Sequence, residues 1–367
     1  AVGFEALLDQ NQTTNTDVFN VAVGYHAGTN VTTGLSNTLV GGQTGESITT
    51  GSYNSFVGAR AGDAITTASN NVAVGWAALS ADTKGDKTVA LGRSALGSQN
   101  FTTATDSYNV AVGYTAGLSI TTGQSNTLIG GLAGDALTSS SNNVAVGTNA
   151  LTADTLGARS VAIGSAALAT QNFTTATDAY NVAVGTLAGN AVTTGVENTI
   201  MGGLAADALT TGGQNVALGY VALTTDTVGS KSVAIGFRSL GAQNYGTATD
   251  SFNTAIGYDS GASVTTGTSL TLIGAAAGDA LTDADYNIAI GDSALSADTL
   301  GSRNIAIGHA ALATQNFTTA TNGYNVAIGH AAGNKITTAQ QNVAVGGDAL
   351  DALTVGSSNT AIGYQAL

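Results

Sequence analysis

Apolar residues recur along this chain in short runs that end on glycine. Val21-Ala22-Val23, Thr38-Leu39-Val40, Ser55-Phe56-Val57 and Val72-Ala73-Val74 each lead into one, and the motif repeats to the end of the chain. Twenty-one glycines are preceded by an aliphatic residue in this way, from Val2-Gly3 to Ile362-Gly363, with fifteen spacings of 17 residues and five of 21. Side chains alternate faces along a strand, so each run predicts a short strand that is apolar on both sides. Self-similarity at a short fixed period is the mark of a solenoid, whose units cannot bury their apolar faces alone. The expected fold is all-β: a parallel β-solenoid, or β-roll, of about twenty coils of 17 or 21 residues, continuous over residues 1–367 as a single repeat domain. Strands spaced by about 4.8 Å would make it a rod of about 95 Å.

Numbering each coil from its motif glycine as zero, with Gly24, Gly41, Gly58, Gly75 and Gly113 among the corner residues, resolves the remaining columns. Position −4 is Asn in sixteen of the twenty complete motifs, including Asn20, Asn37, Asn54, Asn71 and Asn109, which predicts an amide ladder along the axis. Leu270 falls in this column, and with no polar side chain it predicts an interruption. Position +3 is nearly always Ala and +4 mostly Gly or Leu, a narrow packing column. At +7 stand Val31, Ile48 and Ile65, and at +8 every 17-residue coil carries Thr. This pair predicts a second strand ending near Gly34, Gly51 and Gly85, giving a flattened coil of two strands and two corners.

A longer beat of 72 residues overlies the coil, running 17+17+17+21 from Gly113 onward. Its 21-residue coils hold an excursion such as Gln99-Asn-Phe-Thr-Thr-Ala-Thr-Asp106, with relatives ending at Tyr180, Phe252 and Tyr324. Excursions on one side of a scaffold suit recognition, and they equally suit a bulge that adjusts twist. N-x-T triplets at Asn11, Asn30, Asn100, Asn172 and Asn316 would matter only in a glycosylating host.

Composition narrows the picture. Fifty glycines and no proline favour tight corners and uninterrupted backbone ladders, and without cysteine stability must come from stacking. A net charge of −14 with only 9% charged residues argues against nucleic-acid phosphates as partners. No apolar run reaches the length of a membrane span, and the chain begins and ends within repeats, as a segment of a longer array would.

Candidate chemistry is sparse. Asp63, Asp135, Asp207 and Asp279 form one column at the 72-residue beat and Asp82, Asp154, Asp226 and Asp298 another. Carboxylates in register can hold Ca²⁺, but the G-G-x-G-x-D nonapeptide is missing, and Lys87, Arg159, Lys231 and Arg303 offer ion pairs to the second column instead. His309 and His330 share position +1 in adjacent coils, where a shared metal competes with plain surface packing. Nothing resembles a nucleophile elbow, a phosphate loop or one distinctive acid–base pair, so no enzyme and no cofactor is expected. The +1 column also carries aromatics, among them Tyr25, Trp76, Tyr114, Tyr220 and Tyr258, as candidate recognition rings for a glycan or receptor.

The motif N-[VT]-A-[VI]-G-x-x-A, as in Asn20-Val-Ala-Val-Gly24, Asn253-Thr-Ala-Ile-Gly257 and Asn359-Thr-Ala-Ile-Gly363, resembles the head repeats of YadA-like trimeric autotransporter adhesins. It is also similar to the N-T-A-I-G-Y-x-A-L arrays of some phage tail fibres. The resemblance implies left-handed β-rolls assembled side by side as homotrimers, on a cell surface, a virion or otherwise outside the cell. The coils here, at 17 and 21 residues, are longer than that family's, and the chain shows no neck, heptad stalk or membrane anchor. A structural or adhesive fibre segment is therefore the leading expectation. A subunit of a polymeric extracellular filament and an ice-binding solenoid displaying its Thr column are the alternatives.

Overall fold

Each motif triplet forms a three-residue strand in the computed structural model, which describes residues 1–12 and 17–367. The segment 13–16, within the first excursion and including Thr13 of the Asn11 triplet, lies outside the described residues. The chain divides into two compact units, Ala1–Asn181 and Val182–Leu367. Nine motif strands run from Val21–Val23 to Val161–Ile163 in the first unit, and eleven from Val182–Val184 to Thr360–Ile362 in the second. The described residues are all-β, with no helix, and form a parallel β-solenoid of about twenty turns.

Within a unit every strand pairs in parallel with that of the next coil, Val21 opposite Thr38 at a 17-residue step and Val89 opposite Val110 across a 21-residue coil. The longer coil thus keeps the register of the main ladder, and its four additional residues leave the stack elsewhere. Position −2 points inward and is fully buried, as at Ala22, Leu39, Phe56 and Ala73, while positions −3 and −1 face outward.

The motif glycine is fixed by two constraints at once. Its φ lies between +128° and +142° in all twenty-one copies, a region L side chains rarely adopt. A Cβ on Gly24 would also stand 2.3 Å from the Gly41 carbonyl oxygen, and one on Gly92 2.2 Å from that of Gly113. The corner that follows is made by left-handed residues at +2 and +4, for example Ala77 and Leu79.

The second strand expected at +7 and +8 does not form. The N–H groups of Thr32, Thr33 and Gly34 all converge on the Thr49 carbonyl, at 2.9, 3.3 and 3.2 Å, which bends the backbone where a ladder would need one partner per group. Among the described residues a second pairing appears only beside the excursions, as two-residue ladders joining Gly85–Asp86 to Thr105–Asp106, Gly157–Ala158 to Thr177–Asp178, Gly229–Ser230 to Thr249–Asp250 and Gly301–Ser302 to Thr321–Asn322. The coil is therefore a single strand closed by bends.

Its interior is filled by the −2, +3, +4 and +7 columns, including Ala27, Ala78, Leu79, Ile48 and Ile65, all fully buried. The Asn column lies inside too. Asn37 donates from Nδ2 to the Gly51 carbonyl at 2.9 Å, and its Oδ1 accepts the N–H of Asn54 at 3.0 Å and the Asn54 amide at 3.1 Å. The amide ladder is thus present, and it is buried. At Leu270 the backbone N–H still reaches Asn253 Oδ1 at 3.0 Å, so the rung is lost only toward the coil above.

Candidate functional site

The 72-residue beat builds one arrangement repeatedly, and its foundation is polar. Asp82 replaces the apolar +7 residue and is fully buried, as are Asp154, Asp226 and Asp298. In the coil above, the same column holds Gln99, whose Nε2 donates to Asp82 Oδ2 at 2.6 Å. Asp82 Oδ1 accepts the N–H of Gly85 at 3.0 Å and of Phe101 at 3.1 Å, while Gln99 Oε1 accepts from Asn109 Nδ2 at 2.9 Å. Gln171, Gln243 and Gln315 repeat the bond to Asp154, Asp226 and Asp298, each at 2.6 Å. Burial raises the pKa of Asp82 and Asp298, against the hydrogen bonds from Gln99 and Gln315 that lower it.

This corrects an expectation. The second Asp column is buried and is not paired with Lys87, Arg159, Lys231 and Arg303. Those cations lie outside, where Lys87 Nζ meets Asp106 at 2.6 Å, Arg159 Asp178 at 2.9 Å and Lys231 Asp250 at 2.5 Å, while Arg303 donates to Asn322 Oδ1 at 3.1 Å. The reason is geometric: each Asp is held by the Gln amide of the coil that closes over it and by a glycine N–H of its own coil, and no long cationic side chain reaches inside.

The Gln column anchors the excursion. Phe101 is packed inside at 5% exposure, its N–H on Asp82 and its carbonyl accepting the Thr83 hydroxyl at 2.8 Å. Phe173 and Phe317 repeat this placement, and Tyr245 takes it in the third block, its hydroxyl donating to the Gly267 carbonyl at 2.7 Å. Burial moves the Tyr245 phenol well above its ordinary pKa. The sequon residues Asn100, Asn172 and Asn316 accept hydroxyl bonds from Thr83, Thr155 and Thr299.

Above this anchor the short outer ladder presents a surface cluster. Tyr108, 55% exposed, donates its hydroxyl to Asp106 Oδ2 at 3.0 Å, and Lys87 Nζ lies 5.1 Å from the centre of its ring. Hydrogen bonds from Lys87 and then from Tyr108 hold the Asp106 carboxyl below the ordinary carboxylate range. Arg159 stands over Tyr180 at 5.7 Å and Lys231 over Phe252 at 5.2 Å, next to Asp178 and Asp250. All three aromatics occupy position −5, a left-handed position in every coil that includes Phe19, Tyr53, Tyr286 and Tyr324. The sequence reading did not isolate this exposed column. Its signal was present, since Tyr108, Tyr180, Phe252 and Tyr324 close the excursions at the 72-residue beat.

The +1 candidates are exposed as expected. Tyr25 stacks on Phe4 at 5.6 Å, Phe237 lies between Tyr220 at 6.1 Å and Tyr258 at 5.1 Å, and Arg93 sits over both Trp76 and Tyr114. They form runs of rings along the axis rather than isolated platforms. His26 is held between Glu5 at 2.9 Å and Glu46 at 3.1 Å. His309 and His330 stack at 5.2 Å and face Asp292 and Asp348 at 3.6 and 3.5 Å. In the first Asp column, Asp63 pairs with Arg60 at 3.1 Å, and Asp135 and Asp207 accept hydroxyl bonds from Thr152 and Thr224 at 2.6 Å. No group of three or more metal-ligating side chains comes together among the described residues, which contain no helix long and apolar enough to cross a membrane.

Compared with protein-family models, with curated proteins and with solved structures, the chain has no match.

Proposed function

We propose that the chain is a non-enzymatic segment of an extracellular or virion fibre, assembled side by side with copies of itself as a homotrimer, and that it presents repeated surfaces for recognition. The observation that carries this is the outer face of the motif ladder. Positions −3 and −1 place Val, Ile, Leu and Thr outward in coil after coil, with Val21 49%, Val57 42% and Met201 49% exposed. A contiguous apolar face of this kind marks an interaction site, and a parallel sheet is ordinarily covered on both sides. An identical chain suits it best, because its own flat face has the same period and no charge to bury.

The similarity of the N-[VT]-A-[VI]-G motif to adhesin heads and tail-fibre arrays supports the same assembly. Against an enzyme, the polar side chains recur block by block and converge on no single pocket. The ice-binding alternative gains no support from the +8 Thr column, since hydroxyls such as those of Thr32, Thr49 and Thr66 donate to carbonyls of the next coil at 3.1, 3.2 and 3.0 Å.

Native mass measurement tests the assembly. A species at three times the 35.8 kDa chain mass is expected, and Val57→Lys with Val74→Lys should convert it to monomer while the far-ultraviolet spectrum stays that of the solenoid. A stable, monodisperse monomer of the unaltered chain overturns the proposal, whereas an open-ended series of masses favours the filament.

A further inference from the structure

The clusters on the outer ladders are the most elaborated surface of the molecule, and they carry an inference about ligand chemistry. Four of the nine cations in the chain, Lys87, Arg159, Lys231 and Arg303, stand at this one column. Each of the first three has a carboxylate and an aromatic ring from the excursion coil beside it. The ring is not a free rotor on a loop. Its backbone is fixed left-handed, at φ +49° for Tyr108, +50° for Tyr180 and +51° for Phe252, and the ladder beneath is tied to the buried Asp–Gln pair.

One face of Tyr108 takes Lys87, and the ring stays 55% exposed, with Ser125 next in the same column. There the surface opens into a groove lined by Asp86, Ala104, Thr105, Asp106, Tyr108, Gln124 and Ser125. The groove therefore combines an aromatic plane, two carboxylates, two aliphatic hydroxyls and a side-chain amide, with the Lys87 ammonium bound to Asp106. Asp106 and Lys87 neutralise each other at 2.6 Å, and Asp86, whose Oδ1 accepts the Ser69 N–H, gives way to Ala158 and Ser230 in the second and third clusters, so the shared arrangement offers no net charge to an ionic ligand, and the overall charge of −14 repels anionic polymers. What matches is a molecule with an apolar C–H face to lie on the ring and a rim of hydroxyls able both to donate and to accept.

We propose that each of these clusters is a subsite for one pyranose ring of a neutral glycan, with Tyr108, Tyr180 and Phe252 as stacking platforms and Lys87/Asp106, Arg159/Asp178 and Lys231/Asp250 as hydroxyl partners. In the first unit the two clusters stand four coils apart, about 19 Å at the usual strand spacing, so one extended chain of sugars can lie across both. The fourth cluster departs from the others, because Asn322 replaces the carboxylate and Arg303 lies 4.7 Å from Tyr286 in the coil below, which makes it the weakest subsite. The inference rests on the reading of the chain as a recognition surface and names what is recognised.

Calorimetric titration of the full chain with cellohexaose, mannohexaose and laminarihexaose tests it, with a sulfated heparin hexasaccharide as the anionic comparison. Saturable binding of at least one neutral hexaose is expected. Tyr108→Ser, Tyr180→Ser and Phe252→Ser combined should weaken it at least about tenfold, while Tyr25→Ser, Trp76→Ser and Tyr114→Ser combined leave it within about twofold. Lys87→Gln, Arg159→Gln and Lys231→Gln should weaken it as well, which keeps the result interpretable if the ring variants fold poorly. Binding of no neutral hexaose, a preference for the heparin fragment, or loss that follows Tyr25, Trp76 and Tyr114 overturns the inference. Native mass recorded on the same samples separates that failure from failure of the fibre assembly.

Discussion

At the scale of single residues, the buried carboxylate gives the polar interior its direction. An ionised Asp can only accept, so Gln99 must turn Nε2 toward Asp82 and Oε1 toward Asn109, and Asn109 must point Nδ2 back at Gln99 and the Gly123 carbonyl. Gln99→Leu would strand a buried carboxylate oxygen and one N–H of the Asn109 amide together. Chemical unfolding should show a loss of about 2 kcal/mol or more. The raised pKa of Asp82 and Asp298 has a definite sign in stability. Their folded forms hold a proton more tightly than the unfolded chain, so their contribution is fully present below the ordinary carboxylate pKa and is lost as pH rises through the raised value. The exposed Asp106 acts in the opposite sense, since its lowered pKa makes its contribution fade as pH falls. Side-chain carboxyl ¹³C titration of the folded protein should place the Asp82 and Asp298 inflections above the ordinary aspartate value. Inflections at or below it would refute the account. None of this direction is visible in the sequence, where Asp82 looks like a surface residue five positions before a lysine.

At the scale of the coil, two columns that look independent fill one volume. Wherever position −2 is large, position +4 of the same coil is small, as in Leu39 with Gly45, Phe56 with Gly62, Leu128 with Gly134, Ile200 with Ala206 and Leu272 with Gly278. Where +4 is Leu, −2 is Ala, as in Ala73 with Leu79 and Ala90 with Leu96. The glycine at +4 is there for space, because Leu79 adopts φ +53° at the position where Gly62 has +58°. A Cβ on Gly62 would stand 2.4 Å from the Phe56 ring. Phe56→Ala should therefore cost about 3–5 kcal/mol through the cavity it leaves, and Gly62→Leu should destabilise by overpacking. Combining them converts this coil to the Ala/Leu pattern of its neighbour, and thermal melts should show more than half of the separate losses recovered. Strict additivity would mean that the two columns do not share a volume. The motif glycine allows no such exchange, because the carbonyl of the next coil occupies its Cβ position. Gly58→Ala should accordingly unfold the coils around it, seen as lost amide protection in hydrogen exchange.

At the scale of the molecule, each unit repeats one ladder with its apolar outer face unpaired, and sets its polar elaborations at the 72-residue beat. The function proposed for this architecture is self-assembly along the apolar face and display from the outer ladders, and the mass and titration experiments address the two separately.

The sequence alone determined the period, the parallel strand, its two apolar faces and the glycine corner. All of these follow from strand alternation and from backbone sterics within a few residues, so a single line of text records them. It overstated the second strand, because whether the N–H groups of Thr32, Thr33 and Gly34 take separate partners or share the Thr49 carbonyl depends on the coil above. The tertiary structure decided which polar residues go inside, and it also decided which rings stand alone. Asp82 is enclosed by Gln99 and Phe101, 17 and 19 residues away, and Tyr108 meets Lys87 across 21 residues. Such partners become neighbours only once the coils are stacked, when burial rather than proximity in the chain sets what each charge can do.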